Sequence, residues 1–178
     1  KKEYYRKAAK LDPAYRAADN NYGPLYFALR KFAPAREEFL RVLRVDPGNP
    51  ACLLGLGNIA LERKDLSKAK RCFASALNSG NNKLFNKAKN QSLLGLAEVE
   101  FSLKNFGKAK DLLSRYQRLE PLQPRSYYLA GRIFEKENDF ERSATRYKDA
   151  IRLGFGGLEP ISRLLNISCH LKGRDVIF

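Results

Sequence analysis

Two sets of small residues recur along this chain and move together. Ala35, Ala69, Ala109 and Ser143 are separated by 34, 40 and 34 residues. Twelve residues before each stands a second small residue: Gly23, Gly57, Ala97 and Gly131. Four residues after each stands a bulky one: Phe39, Phe73, Leu113 and Tyr147. Such phasing is what paired antiparallel helices require. A small side chain in the first helix lets the second approach, and the second helix offers a small side chain in return. The bulky group then fills the gap against the next pair. The most literal copies of the pattern are "LLGLGNIALERKDLSKAK", Leu53 to Lys70, and "LLGLAEVEFSLKNFGKAK", Leu93 to Lys110.

Breakers set the boundaries. Asp12-Pro13, Asp46-Pro47 and Glu120-Pro121 follow second helices, which proline cannot continue. The expected organisation is one array: a half repeat over 1–15, repeats over 16–49, 50–89, 90–123 and 124–157, and a terminal helix or cap over 158–178. In the half repeat Tyr5 corresponds to Phe39, and in the last segment Leu164, Leu165, Ile167 and Leu171 are expected to face one way. The 40-residue interval holds six residues beyond the period, within "NSGNNKLFNKAKNQ" after Leu77. Gly80 is expected to stop one helix and Asn82 to cap the next. Leu84 and Ala88 then start that helix about a turn and a half early. An inserted functional loop is the alternative.

The 34-residue period and these slots resemble the tetratricopeptide repeat (TPR) over residues 1 to 157. The resemblance implies an all-α fold, a right-handed superhelix of antiparallel helix pairs, whose concave groove is lined by the first helix of each pair. It also implies a scaffold that holds other proteins and carries no chemistry of its own. A narrower likeness follows from "EYYRKAAKLDP", "NNYGPLYF" and "LLSRYQRLEPLQPRSYYLAGRIFEKENDF". Their order is similar to that in the type IV pilus biogenesis and stability TPR lipoproteins, the PilW/PilF family. Asn20, Asn21, Tyr22 and Gly23 match that family's Asn-Asn-Tyr-Gly phrase, and Tyr116, Arg132 and Ile133 fall in its later arginine- and tyrosine-rich stretch. That likeness implies an adaptor at the outer membrane that helps a secretin pore assemble. The chain departs from it in three ways. Pro24 is expected to interrupt the helix after Gly23, the family's proline-tyrosine-proline insertion is missing, and Leu158 to Phe178 lies beyond it.

In the TPR register the groove rows are Asn20, Leu54, Leu94 and Tyr128, then Phe27, Leu61, Phe101 and Glu135, with Pro24, Asn58, Glu98 and Arg132 between them. The expected partner site comprises Asn20, Phe27, Leu54, Asn58, Leu61, Leu94, Glu98, Phe101, Tyr128 and Arg132. Its apolar middle suits an extended or helical peptide, anchored by Leu54, Leu61, Leu94 and Phe101. Asp at Leu94 and Phe101 is expected to abolish capture with helicity intact; loss of helicity would mark those side chains as core. Asn20, Leu54 and Leu94 lack the ordered cations that a carboxylate-gripping TPR array places along its first helices.

The formal charge of +15 raises the question of an anionic partner. Lys68, Lys70, Arg71, Lys83, Lys87 and Lys89 cluster around the insertion with Phe85 among them, a pattern compatible with RNA or an anionic membrane surface. Elsewhere bases and acids interleave, as at Arg36, Glu37, Glu38 and Arg41, which reads as a solvated face.

Enzymatic chemistry has little to stand on. His170 is the only histidine, with no accompanying carboxylate at a ligand spacing. "GLG" at Gly55 to Gly57 lies inside a helix, and "GFGG" from Gly154 to Gly157 lacks a P-loop lysine. No metal or cofactor is expected. Cys52, Cys72 and Cys169 read as reduced core residues rather than a disulfide framework. The opening Lys-Lys-Glu-Tyr-Tyr reads as the start of a fragment, so no compartment is assigned. The pilus likeness implies the periplasm or outer membrane, and a general scaffold the cytoplasm.

Overall fold

The computed structural model describes residues 22–79 and 86–174, with side chains through Cys169. The half repeat, Asn20, Gly80, Asn82, Lys83, Leu84, Phe85 and the side chains of His170 and Leu171 lie outside the described residues. The described secondary structure is all α: α1 (Tyr22–Ala28), α2 (Phe32–Leu43), α3 (Pro50–Glu62), α4 (Leu66–Asn78), α5 (Asn86–Ser102), α6 (Phe106–Leu119), α7 (Pro124–Lys136), α8 (Phe140–Arg152) and α9 (Glu159–Arg174). The chain forms two compact units, Lys1–Val99 and Glu100–Phe178. In the first, α1 packs on α2, α2 on α3 and α3 on α4; in the second, α6 packs on α7, α7 on α8 and α8 on α9.

Both small-residue registers point inward. Ala35, Ala69, Ala97, Ala109 and Ser143 have no exposed surface, and Gly23, Gly57 and Gly131 are buried. The bulky partners Phe39, Phe73, Leu113 and Tyr147 are buried with them. Phe39 shows why the slots must be small. A Cβ on Gly23 would lie 2.3 Å from its ring, and one on Gly55, in the next first helix, would also lie 2.3 Å away. Phe73 is held likewise between Gly57 and Gly95, at 2.4 and 2.6 Å. Each ring therefore keys two successive first helices together, and burying such a side chain contributes about 1.5–3 kcal/mol. Gly131 admits Tyr147 at 2.6 Å, and the Ser143 hydroxyl donates to the Gly131 carbonyl at 2.9 Å.

The helix ends are equally regular. Asn49, Asp65 and Asp139 cap α3, α4 and α8 by accepting from the backbone N–H three residues on, at 3.0–3.1 Å. Pro50 and Pro124 open α3 and α7, where a missing N–H costs nothing. Pro47 and Pro121 fall just past α2 and α6, as breakers should. Each turn from a first to a second helix closes on one left-handed residue: Arg30, Lys64, Lys104 and Asn138, with φ of 56°, 61°, 62° and 60°. At Lys64 its own N–H reaches the Leu61 carbonyl at 2.9 Å while that of Asp65 reaches Ala60 at 2.9 Å, a six-to-one closure. Gly154, with φ of 87°, ends α8 in the same way.

Three local expectations are corrected. Pro24 lies inside α1 without interrupting its span, since the ring's fixed φ is helical. Leu165 is 61% exposed while Ile167 is buried and Leu164 partly so, because one helical residue step turns the side chain about 100°. Of the cysteines only Cys52 is fully in the core; Cys72 is half-buried and Cys169 exposed. The Cys72 thiol is pushed up, chiefly by burial, which suppresses thiolate.

Lysine bears a steric cost in the left-handed region that glycine does not. Lys64→Gly and Lys104→Gly should each stabilise the protein by about 0.5–1 kcal/mol after the added unfolded-state entropy is subtracted. Urea midpoints with unchanged slopes would show it; destabilisation by both variants would contradict the account of these turns.

Candidate functional site

The repeat spacing brings α1, α3 and the start of α5 around one groove in the first unit. Its volume is about 460 Å³, and its wall is largely apolar. Helix α1 supplies Pro24 and Phe27, three apart on one face. Helix α3 supplies Ala51, Leu54, Gly55 and Asn58, again at helical spacing, and α5 supplies Lys87, Ala88 and Gln91. The buried Phe39 ring lies behind this wall, packed against Gly55. Phe27 is braced by the tilted ring of Phe32 at 5.6 Å. Asn58, half-buried in this apolar wall, makes no side-chain hydrogen bond among the described residues.

Helix α5 explains the third wall. It has 17 residues, against 13 in α3 and α7. It begins 11 residues before Ala97, where α3 and α7 begin seven before Gly57 and Gly131. Lys87 and Ala88 belong to this additional turn, so residues following the 40-residue interval's insertion line the groove directly.

In the second unit the corresponding face is ionic and aromatic. The Arg132 guanidinium lies 4.7 Å from the Phe101 ring centroid and 5.9 Å from that of Tyr128, within cation–π range. Tyr128 is stacked on Phe155 at 4.5 Å. Arg163 of α9 donates to both Glu135 oxygens at 3.2 Å, to Glu159 at 3.1–3.2 Å and to the Tyr128 hydroxyl at 3.2 Å. The Tyr147 hydroxyl donates to Glu135 as well. Burial, followed by that bond, pushes the Tyr147 phenol far above its ordinary range. Burial also raises Tyr128. The hydrogen bond with Tyr128 and then Arg163 hold the Glu159 carboxyl below the usual range.

The ten expected residues thus divide. Phe27, Leu54 and Asn58 meet in the first groove, and Phe101, Tyr128 and Arg132 meet in the second unit. Leu61 and Glu98 are half-buried away from the groove lining, and Asn20 lies outside the described residues. Leu94 and Tyr128 are buried, at 9% and 7% exposure. Tyr128 is covered by Phe155 and α9, so it supports the face rather than presenting surface. Sequence reasoning passed over Ala51, Gly55, Gln91, Glu159 and Arg163. The signal for Gly55 was the shared Leu-Leu-Gly-Leu, whose glycine precedes the slot by two. Among the described residues no group of three or more His, Cys, Asp or Glu side chains could hold a metal, and no helix is long and apolar enough to cross a membrane.

A profile described as the tetratricopeptide repeat matches residues 2–50, 21–77 and 94–154. Among curated proteins the chain is 26% identical over 164 residues to Protein CTR9 homolog of Arabidopsis thaliana, covering 84% of this chain and 14% of that protein. The chain thus spans 14% of that relative's length. Solved structures with the same fold include pilF of Pseudomonas aeruginosa, with a TM-score of 0.78, 20% identity, and coverage of 98% of this chain and 77% of that one. YrrB, described as a TPR protein with an unusual peptide-binding site, gives 0.67, 16%, 96% and 84%. The APC/C hetero-tetramer Cut9–Hcn1 gives 0.77, 16%, 97% and 33%.

The Glu159 interactions make α9 docking sensitive to acid. A carboxyl whose folded pKa is depressed contributes stability above its unfolded value, about 4.3, and loses it as pH falls through the folded value. Protection of the α9 amides, taken relative to intrinsic exchange at each pH, should therefore fall below about pH 4.3 more in the wild type than in Glu159→Gln. Identical pH profiles for the two proteins would remove Glu159 from the docking account.

Proposed function

Because the chain belongs to the tetratricopeptide repeat family, we propose that it is a non-enzymatic scaffold that captures a peptide segment of a partner protein in the groove of its first unit. TPR proteins hold partners through surfaces of this kind, and the repeat carries no catalytic group. One observation supports the placement above the rest. An apolar groove of about 460 Å³ is bounded by Phe27 and Leu54, with the unbonded Asn58 amide in its wall. Apolar anchors give affinity and an amide in reach of a peptide backbone gives register.

A finer reading makes the protein an adaptor in type IV pilus secretin assembly. It is supported by the Asn-Asn-Tyr-Gly phrase at residues 20–23 and by the fold shared with pilF across 98% of this chain. At 20% identity that likeness carries the fold alone. In the natural full-length protein this reading expects a secretion signal followed by a lipidated cysteine; a start without either would end it.

The groove itself is tested by substitution. Leu94 is a poor site, since an aspartate there enters the core. Leu54 and Phe27 are half-buried and line the opening. Leu54→Asp and Phe27→Asp should keep the wild-type circular dichroism and lose partner capture in a pull-down roughly tenfold or more. Capture unchanged in both, but collapsing between low and high salt, would move binding to the cationic surface suited to RNA or anionic lipid.

A further inference from the structure

The extra turn of α5 gives the groove a chemistry that a 34-residue period would not supply. It places Lys87 on the rim, exposed, beside Ala88 in the wall. Lys87 is the one charged residue among the described residues that line the groove. The remaining lining is apolar apart from the amides of Asn58 and Gln91. Lys89, two residues on, donates instead to the Ser79 carbonyl and is not among the lining residues. Among the described residues that line the groove none is acidic.

We infer that the groove selects an acidic peptide: an apolar side chain enters between Phe27 and Leu54, and a carboxylate beside it in sequence meets the Lys87 ammonium. The inference rests on the groove being the peptide site and names the ligand class it takes. Two observations set the occupant. A cation at the edge of an apolar wall favours an anion flanking an apolar anchor. The chain's charge of +15 opposes a second copy of itself and favours a partner segment of opposite sign. The carboxylate is an Asp or Glu side chain next to the apolar anchor, since a single lysine on the lining does not make the ordered set of cations that grips a chain terminus.

Selection of random short peptides displayed on phage provides the test, run on the wild-type chain, on Lys87→Glu, and on Leu54→Asp as the groove control. Lys87 is exposed, so its reversal leaves the fold intact, which matching thermal midpoints will verify. Wild-type protein should enrich an apolar residue next to Asp or Glu, and Lys87→Glu should enrich the same anchor next to Lys or Arg. A synthetic copy of the selected acidic peptide should lose roughly tenfold in affinity on replacing its Glu by Gln, and lose nothing more against Lys87→Glu. Amidated and free-acid forms of that peptide should bind equally; affinity lost on amidation would put the recognised carboxylate at a chain terminus and overturn the inference. An apolar anchor enriched without charge preference, or a preference unchanged by Lys87→Glu, overturns the inference and leaves the groove standing. If Leu54→Asp enriches the same peptides as wild type, the groove is not the site and the inference falls with it.

Discussion

Everything in the first unit depends on an aromatic ring seated between two glycines. Phe39 occupies the space that side chains on Gly23 and Gly55 would fill, and Phe73 does the same between Gly57 and Gly95. The contact is not a simple burial of apolar area. A methyl at any of these glycines would lie less than 3 Å from ring carbons, so the ring or a helix would have to shift. The ring thereby fixes the separation of two consecutive first helices, and that separation determines how wide the surface between them is. The groove lies beside the lock: Gly55 admits the buried Phe39 ring, and both residues border the space between α1, α3 and α5.

Most of this architecture was legible because it is written in residue size. Small slots at 23, 57, 97 and 131 and at 35, 69, 109 and 143 are buried as their period required, and Pro47 and Pro121 stand just past the helices they were read to end. What periodicity could not provide was the identity of the residues that cover others. Leu94 and Tyr128 occupy positions read as groove, yet both are buried. For Tyr128 the cause is long-range: Phe155, at the end of the last repeat, and Arg163, in the segment read as a terminal helix or cap, fill the face that Tyr128 would have shown. A register names which side of a helix a residue is on. It does not name what has already arrived there.

The insertion illustrates the same limit from the other direction. Counting residues located six extra positions and suggested an early helix start, and α5 is indeed a turn longer than its counterparts. Counting did not reveal that the added turn would stand opposite α3 and become a wall. An inserted loop and a lengthened helix were alternatives in the sequence; in the structure the lengthened helix itself carries Lys87 to the groove.

The two units also solve the placement of arginine and lysine differently, and the difference bears on where a partner could be recognised. In the second unit Arg163 directs its donors to Glu135, Glu159 and Tyr128, while Glu135 also takes the Tyr147 hydroxyl. Those charges are satisfied within the protein, and a ligand that competed for them would have to break bonds before making its own. Arg132 is orientated by two rings, which restricts its motion without neutralising it. In the first unit the only charged side chain among the described residues lining the groove is a lysine at the rim of an apolar wall. A partner meeting that surface gives up water and little else. Recognition is therefore physically cheaper at the groove of the first unit than at the ionic face of the second, although the latter holds more charge.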